Sequence, residues 1–233
     1  MRKISLLHRV LDVVAPRFCV VCGRRLSVSE QVICAACNLH LPRTDFCRHP
    51  LDNVLARLFW GIIPVERAAA LFYYEAGSQV ANILYDLKYH NHPEIGHVMG
   101  RIMAREFQEA GFFDGIDVMV PIPLSRSREF WRGYNQSVEL ARGISDITGI
   151  PVAAKAIRRL RFDKSQTSMR RPERQENVEG VFQLKAADAV SGRHVLLVDD
   201  VITTGATMTA CARELLKAGN VTVSLLSLGF AKS

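Results

Sequence analysis

The chain has 233 residues, 48% of them apolar and 23% charged, with a formal net charge of +7. That length suits one main domain plus a small appendage, and the apolar share is enough for a packed core. The basic balance suits polyanionic ligands such as pyrophosphate, nucleotides or nucleic acid without selecting among them, and no apolar run approaches the roughly 18 residues of a membrane span.

The N-terminus begins Met1-Arg2-Lys3, as a secretory leader would. His8, Arg9 and Asp12 interrupt the apolar stretch and no small-residue cleavage site follows, so a leader is not expected. Residues 3–14 read as a short amphipathic helix within an N-terminal segment 1–18, and the expected location is the cytoplasm. Five of the six cysteines fall between Cys19 and Cys47. Cys19-x-x-Cys22 and Cys34-x-x-Cys37 are two thiolate pairs at a spacing that can close a tetrahedral Zn²⁺, with Gly23 suited to the tight turn behind the first pair. Disulfides or buried free thiols are the competing readings, and disulfides fit poorly in a chain with no export signal. Residues 19–47 are therefore expected to form a small zinc ribbon with a closed, structural site. Cys47 and His49 are expected to stay unliganded.

A linker over 48–66 follows, with a short helix at Asn53–Phe59. The main domain is expected over 67–233. Ala68–Tyr74 reads as a strand. Val80, Ile83, Leu84 and Leu87 have helical spacing over Gly77–Lys88, and Leu87-Lys88-Tyr89 closes that helix. His90 and His92 read as loop residues. Pro93–Ala110 is a helix opened by a permitted proline and ended by Gly111. Asp117–Val120 is a short strand running into Pro121-Ile122-Pro123, a rigid turn without spare N–H groups.

Arg126, Arg128 and Arg132 then lie on what reads as a loop at a strand end. Arginines there can hold a diphosphate by charge-assisted hydrogen bonds, or simply form a solvated basic loop. Asn135–Thr148 is a helix with Val138, Leu140, Ala141, Ile144 and Ile147 on its apolar face, and Pro151–Ile157 reads as a strand. Arg158–Gln175 loses all periodicity and is strongly basic, with Ser165-Gln166-Thr167 as its tip. Such a loop can fold over a pyrophosphate and exclude water, or remain a mobile charged segment. Val178–Leu184 and Val221–Phe230 read as further strands.

The most informative stretch is Val195–Thr209. Val195–Val198 looks like a strand buried on both faces, with Asp199 and Asp200 where it would end. Thr203, Thr204, Gly205, Ala206 and Thr207 follow, and a helical pattern then runs to Ala218. Ligands collect at the carboxyl ends of strands in open α/β sheets. A helix N-terminus favours phosphate, and threonine hydroxyls add donors. Adjacent carboxylates suit vicinal hydroxyls or a hydrated Mg²⁺. Phosphate and diol together describe a ribose 5-phosphate. A nucleotide hydrolase would need a Gly-x-x-x-x-Gly-Lys-Ser/Thr loop, which the chain lacks.

This ordered string resembles the 5-phosphoribosyl-1-pyrophosphate (PRPP) motif of the type I phosphoribosyltransferases. Together with the Cys19–Cys37 ribbon, Pro121–Pro123, Arg132-Gly133-Tyr134-Asn135-Gln136 and Ser165-Gln166-Thr167, it is similar to the ComF family of bacteria over nearly the whole chain. The resemblance implies a type I phosphoribosyltransferase fold, an α/β parallel-sheet core with helices on both faces, preceded by the zinc ribbon. It implies Asp199 and Asp200 on the ribose hydroxyls and Thr203–Thr207 on the 5-phosphate. Pro121, Ile122, Pro123, Arg126 and Arg132 would face pyrophosphate, and a flap carrying Arg161 and Lys164 would complete the catalytic set. Residues 61–92 and the ribbon are the candidates for the acceptor hood. Expected partners are PRPP with Mg²⁺, an acceptor base, a second copy of the chain, and single-stranded DNA with a competence helicase. A second reading is a non-catalytic sensor of PRPP or nucleotides, or a single-stranded-DNA-binding protein with Phe46, Phe59, Trp60 and Trp131 available for stacking.

Overall fold

Apolar runs without alternation call for strands covered on both faces, and the centre of this molecule is that setting. The computed structural model describes residues 15–160 and 180–231. The expected helix at 3–14 and the loop residues Arg161, Lys164 and Ser165–Thr167 lie outside them. The strands are β1 (Ala68–Tyr74), β2 (Val118–Pro121), β3 (Ile157–Arg159), β4 (Phe182–Leu184), β5 (His194–Ile202) and β6 (Thr222–Ala231). The main sheet has the order β1-β6-β5-β2 with every pairing parallel, and β3 and β4 pair antiparallel apart from it.

The helices are α1 (Ala35–His40), α2 (Val54–Arg57), α3 (Gln79–Tyr89), α4 (Pro93–Glu109), α5 (Arg126–Arg132), α6 (Gln136–Thr148) and α7 (Ala206–Leu216). Among the described residues no helix is long and apolar enough to cross a membrane.

Register explains where a site can form. β2 pairs with β5 only from Val118–Val195 to Pro121–Val198. β5 continues to Ile202 because β6 goes on pairing with it, Val201 with Gly229 and Ile202 with Phe230. The last four residues of β5 therefore overhang the end of β2. Asp199 and Asp200 lie inside this strand rather than after it, which corrects the shorter strand expected from Val195–Val198.

Two further expectations change. Pro151–Ile157 is not a strand: it touches the sheet through a single parallel bridge, Val152 to Met119. The chain then turns away at Ala153–Lys155, where no β-branched residue is present to hold a strand. Arg126–Arg132 is not a loop but helix α5, with the Ser125 side chain accepting from the Arg128 amide as its N-cap and Gly133 ending it.

α6 is fixed from two sides. Its N-cap Asn135 accepts from the Ser137 amide and donates Nδ2 to the Ile122 carbonyl, tying the helix start to the Pro-Ile-Pro turn. Its middle lies directly against α4. A Cβ on Gly143 would sit 2.0 Å from the His97 carbonyl oxygen, and one on Gly100 would sit 2.2 Å from that of Leu140. Only glycine permits this backbone-to-backbone approach.

The N-terminal region shares the main core rather than forming a separate one. Phe46 packs edge-on against Tyr73 and meets Phe230. Arg43 bonds Glu106 at 3.1 Å while its guanidinium lies over the Phe72 ring.

Candidate functional site

The cradle at the start of α7 is built by backbone. Gly205 has φ +77°, a left-handed conformation that disfavours any side chain, and it caps α7 without a side-chain hydrogen bond to the first turn. The leading N–H groups of the helix thus keep their capacity for an anion. Thr203, Thr204, Gly205, Ala206 and Thr207 line a small concavity of about 40 Å³ together with Asp199. Gly205 has a second reason to be glycine. A Cβ there would lie 2.8 Å from the ring of Phe59, which is buried and forms the floor of the loop.

The acidic pair is held by residues far away in sequence. Asp199 Oδ1 accepts from Ser137 Oγ at 2.9 Å and from the Asp200 amide at 2.9 Å. Asp200 Oδ2 accepts from Gln136 Nε2 at 3.1 Å and pairs with Lys88 Nζ at 2.9 Å. Burial of its carboxyl, and then the neighbouring charge of Asp200, push Asp199 up to about 7, while Ser137 and the Asp200 amide pull the other way. Asp199 is nevertheless only partly covered as a residue. Among the described residues the second oxygen of each carboxylate accepts no hydrogen bond, so each carboxylate retains an acceptor.

Helix α5 separates two basic clefts. On one side Pro123, Arg126, Asn135, Arg158 and Arg159 line an open volume of about 800 Å³. On the other, Lys88, Tyr89, Asn91, Arg128, Trp131 and Arg132 line one of about 770 Å³. The helix thus parts the arginines that the sequence placed on one loop: Arg126 faces the first cleft, Arg128 and Arg132 the second. Pro121 ends β2 and Ile122 continues its pairing to the Val198 carbonyl. Arg132 also donates to Gln136 Oε1 at 2.9 Å and lies over the Tyr89 ring.

The four expected cysteines converge. The Sγ atoms of Cys19, Cys22, Cys34 and Cys37 all lie within 4.8 Å of one another. Cys22 and Cys34 are 3.9 Å apart, against the about 3.8 Å that a tetrahedral site with ~2.3 Å metal–sulfur bonds requires. The Cys34 amide donates to the Cys19 sulfur and the Cys37 amide to the Cys34 sulfur. The Cys37 amide lowers the Cys34 thiol, while burial raises that of Cys37, as expected when thiols share one small volume. This is a donor set built for a metal ion. Cys47 is buried outside it. Glu30, unremarked in the sequence, braces the fold by accepting from the amides of Ser27 and Ala35, which hold its carboxyl at about 2.

Sequence reasoning passed over Lys88, Gln136 and Ser137 as partners of the acidic pair, and Phe59 as the floor of the Gly205 loop. Lys88 read as a helix-end lysine, and Gln136 as part of a family string with no role attached. Phe59 was offered as a stacking aromatic. The structure corrects this for both Phe59 and Phe46, which are buried at 1% and 7% exposure, while Trp60 and Trp131 stay open at 56% and 84%.

A parallel sheet whose longest overhang carries an acidic pair, followed by an uncapped helix start, defines a class. The chain belongs to the phosphoribosyl transferase domain family, whose model matches residues 87–229. Its relatives narrow the group. The DNA utilization protein YhgH of Escherichia coli K12 is 28% identical over 91% of this chain and 96% of its own length. Competence protein F of Haemophilus influenzae is 23% identical over 86% and 91%. Competence protein ComFC of Bacillus subtilis is 27% identical over 90% and 75%. The ComF resemblance read from the sequence is thus carried by named relatives.

Proposed function

We propose that the protein binds PRPP and transfers its 5-phosphoribosyl group to an acceptor with release of pyrophosphate. The observation that carries this reading is Asp199 lining one small concavity with the uncapped start of α7, with Asp200 next to it in β5 held by Lys88 and Gln136. The 5-phosphate sits on the Thr203–Thr207 amides and hydroxyls, and the ribose hydroxyls donate to the remaining carboxylate oxygens. Pro121–Pro123 and Arg126 face the pyrophosphate. Mg²⁺ bound with PRPP supplies charge neutralisation on the leaving group, and the carboxylate oxygens suit its hydration shell. In the transfer, the acceptor nitrogen's lone pair forms the new bond to the anomeric carbon. The bond from that carbon to the pyrophosphate oxygen breaks, its electron pair leaves with pyrophosphate, and any proton on the attacking nitrogen passes to solvent. Positioning and electrostatics carry such a step without a protein nucleophile.

Calorimetry of PRPP–Mg²⁺ binding tests the site. Wild type is expected to bind and Asp200→Asn to bind at least about tenfold more weakly, the worth of one charge-assisted hydrogen bond; equal binding would remove the role assigned to the pair. A screen of acceptors for pyrophosphate release tests turnover.

The metal is proposed to be Zn²⁺, from the four-thiolate donor set, with purified protein expected to carry one equivalent. The names of the relatives support a role in DNA uptake or utilization. Competition between oligonucleotide and salt in a filter-binding titration checks for direct DNA contact.

A further inference from the structure

Of the two clefts beside α5, only one has aromatic walls among the described residues. The cleft lined by Pro123, Arg126 and Arg159 offers guanidinium groups and few flat surfaces, which suits a phosphate chain. The cleft of about 770 Å³ on the other side is of the size that small-molecule sites have. Its walls are Tyr89 from the end of α3 and Phe130–Trp131 from α5. Phe130 and Trp131 are 82% and 84% exposed and touch each other edge-on at 6.1 Å. Two large rings held in water beside a cavity are unusual for a face with no ligand.

The charges in this cleft have one sign. Among the described residues Lys88, Arg128 and Arg132 line it, and no carboxylate does. Its inner wall is also the edge of the acidic pair. Lys88 reaches Asp200 Oδ2 at 2.9 Å, and Arg132 reaches Gln136, which donates to the same oxygen. A ligand seated between Trp131 and Tyr89 therefore lies next to the groups assigned to the ribose.

We infer that this cleft, between Lys88–Asn91 and Ser127–Gly133, seats the acceptor, and that it takes a planar aromatic ring carrying a carboxylate in preference to a neutral ring. The inference rests on the PRPP reading of Asp199 and Asp200. The rings supply stacking surface, and the arginines supply the fork that matches a carboxylate. Lys88 is a positioning residue: its ammonium is shared between Asp200 and the incoming anion.

Matched pairs of ligands test this on the full-length protein. Orotate against uracil, and nicotinate against nicotinamide, differ chiefly in the carboxylate. Calorimetry is expected to show each acid binding at least about tenfold tighter than its neutral partner, as one charge-assisted hydrogen bond gives. Arg128→Gln is expected to narrow that ratio while leaving PRPP–Mg²⁺ affinity as it was. The chain has two tryptophans, so in a Trp60→Phe background the emission of Trp131 reports the cleft directly, and nicotinate is expected to quench it saturably. PRPP–Mg²⁺ binding without any saturable acid binding, or equal affinity within each pair, overturns the inference and leaves the parent reading intact. Acid binding without PRPP binding keeps an aromatic-anion site and removes the parent reading. Quenching of Trp131 by a single-stranded oligonucleotide but by neither acid assigns the rings to nucleic acid and overturns the inference.

Discussion

The four-thiol cluster and the acidic pair are both crowded groups of ionisable side chains, yet they are relieved in opposite ways. The thiols are gathered by two tight turns close together in sequence, and only a cation at their centre can replace their protons. The carboxylates are relieved by organic donors: Lys88 from α3, and Gln136 and Ser137 from α6. A metal in a closed site stays; a hydrogen-bonding side chain can be exchanged for a hydroxyl of the ligand. On the proposed function, one cluster is permanent and the other reversible.

Breaking the permanent side should have the largest effect. Cys34→Ser is expected to remove the metal and with it a large part of the about 5–15 kcal/mol that holds a domain folded. Metal content and thermal denaturation check this, and a variant that keeps both would remove the metal reading. Next comes Phe59→Ala, expected to cost about 3–5 kcal/mol as a large-to-small change in a packed core. It should also weaken PRPP binding, because the Gly205 loop loses its floor; unchanged affinity with lowered stability would separate the two effects.

Lys88→Met sharpens the reversible side. Removing one partner of a buried pair costs about 3–5 kcal/mol, and partial exposure of Lys88 should bring this to about 1–2 kcal/mol. Chemical denaturation reads the loss.

The remaining effect expected is on pH. Asp199 is raised from its ordinary 3.8 to about 7, so its protonated form favours the folded state. That contribution is fully present below about pH 4 and is lost as pH rises through about 7. PRPP–Mg²⁺ affinity should move the opposite way, increasing as the carboxylate ionises. Ser137→Ala removes a donor to the ionised form and should shift the midpoint upward, which calorimetry across the range would register.

The contiguous parts of the candidate site are legible in the sequence. Thr203–Thr207 and the four cysteines announce themselves because backbone turns and short spacings dictate their geometry. The donors to the acidic pair are not, since Gln136 and Ser137 stand 64 and 62 residues from their partners. A lysine ending a helix already has a local explanation in the helix dipole, so nothing local marks Lys88 as a counter-ion. Likewise, seven residues rich in arginine read as a loop until the Ser125 and Gly133 caps are seen to enclose a helix.

The contact between Phe59 and Gly205 has a practical consequence for dissecting the molecule. A shortened chain starting at Ala68 would retain every strand of the main sheet and the whole matched segment 87–229. It would also strip the underside of the proposed phosphate seat and open it to solvent. Because the N-terminal region shares the main core, such a fragment should lose fold stability along with the floor of the Gly205 loop, so the N-terminal quarter behaves as masonry beneath the candidate site rather than as a detachable module.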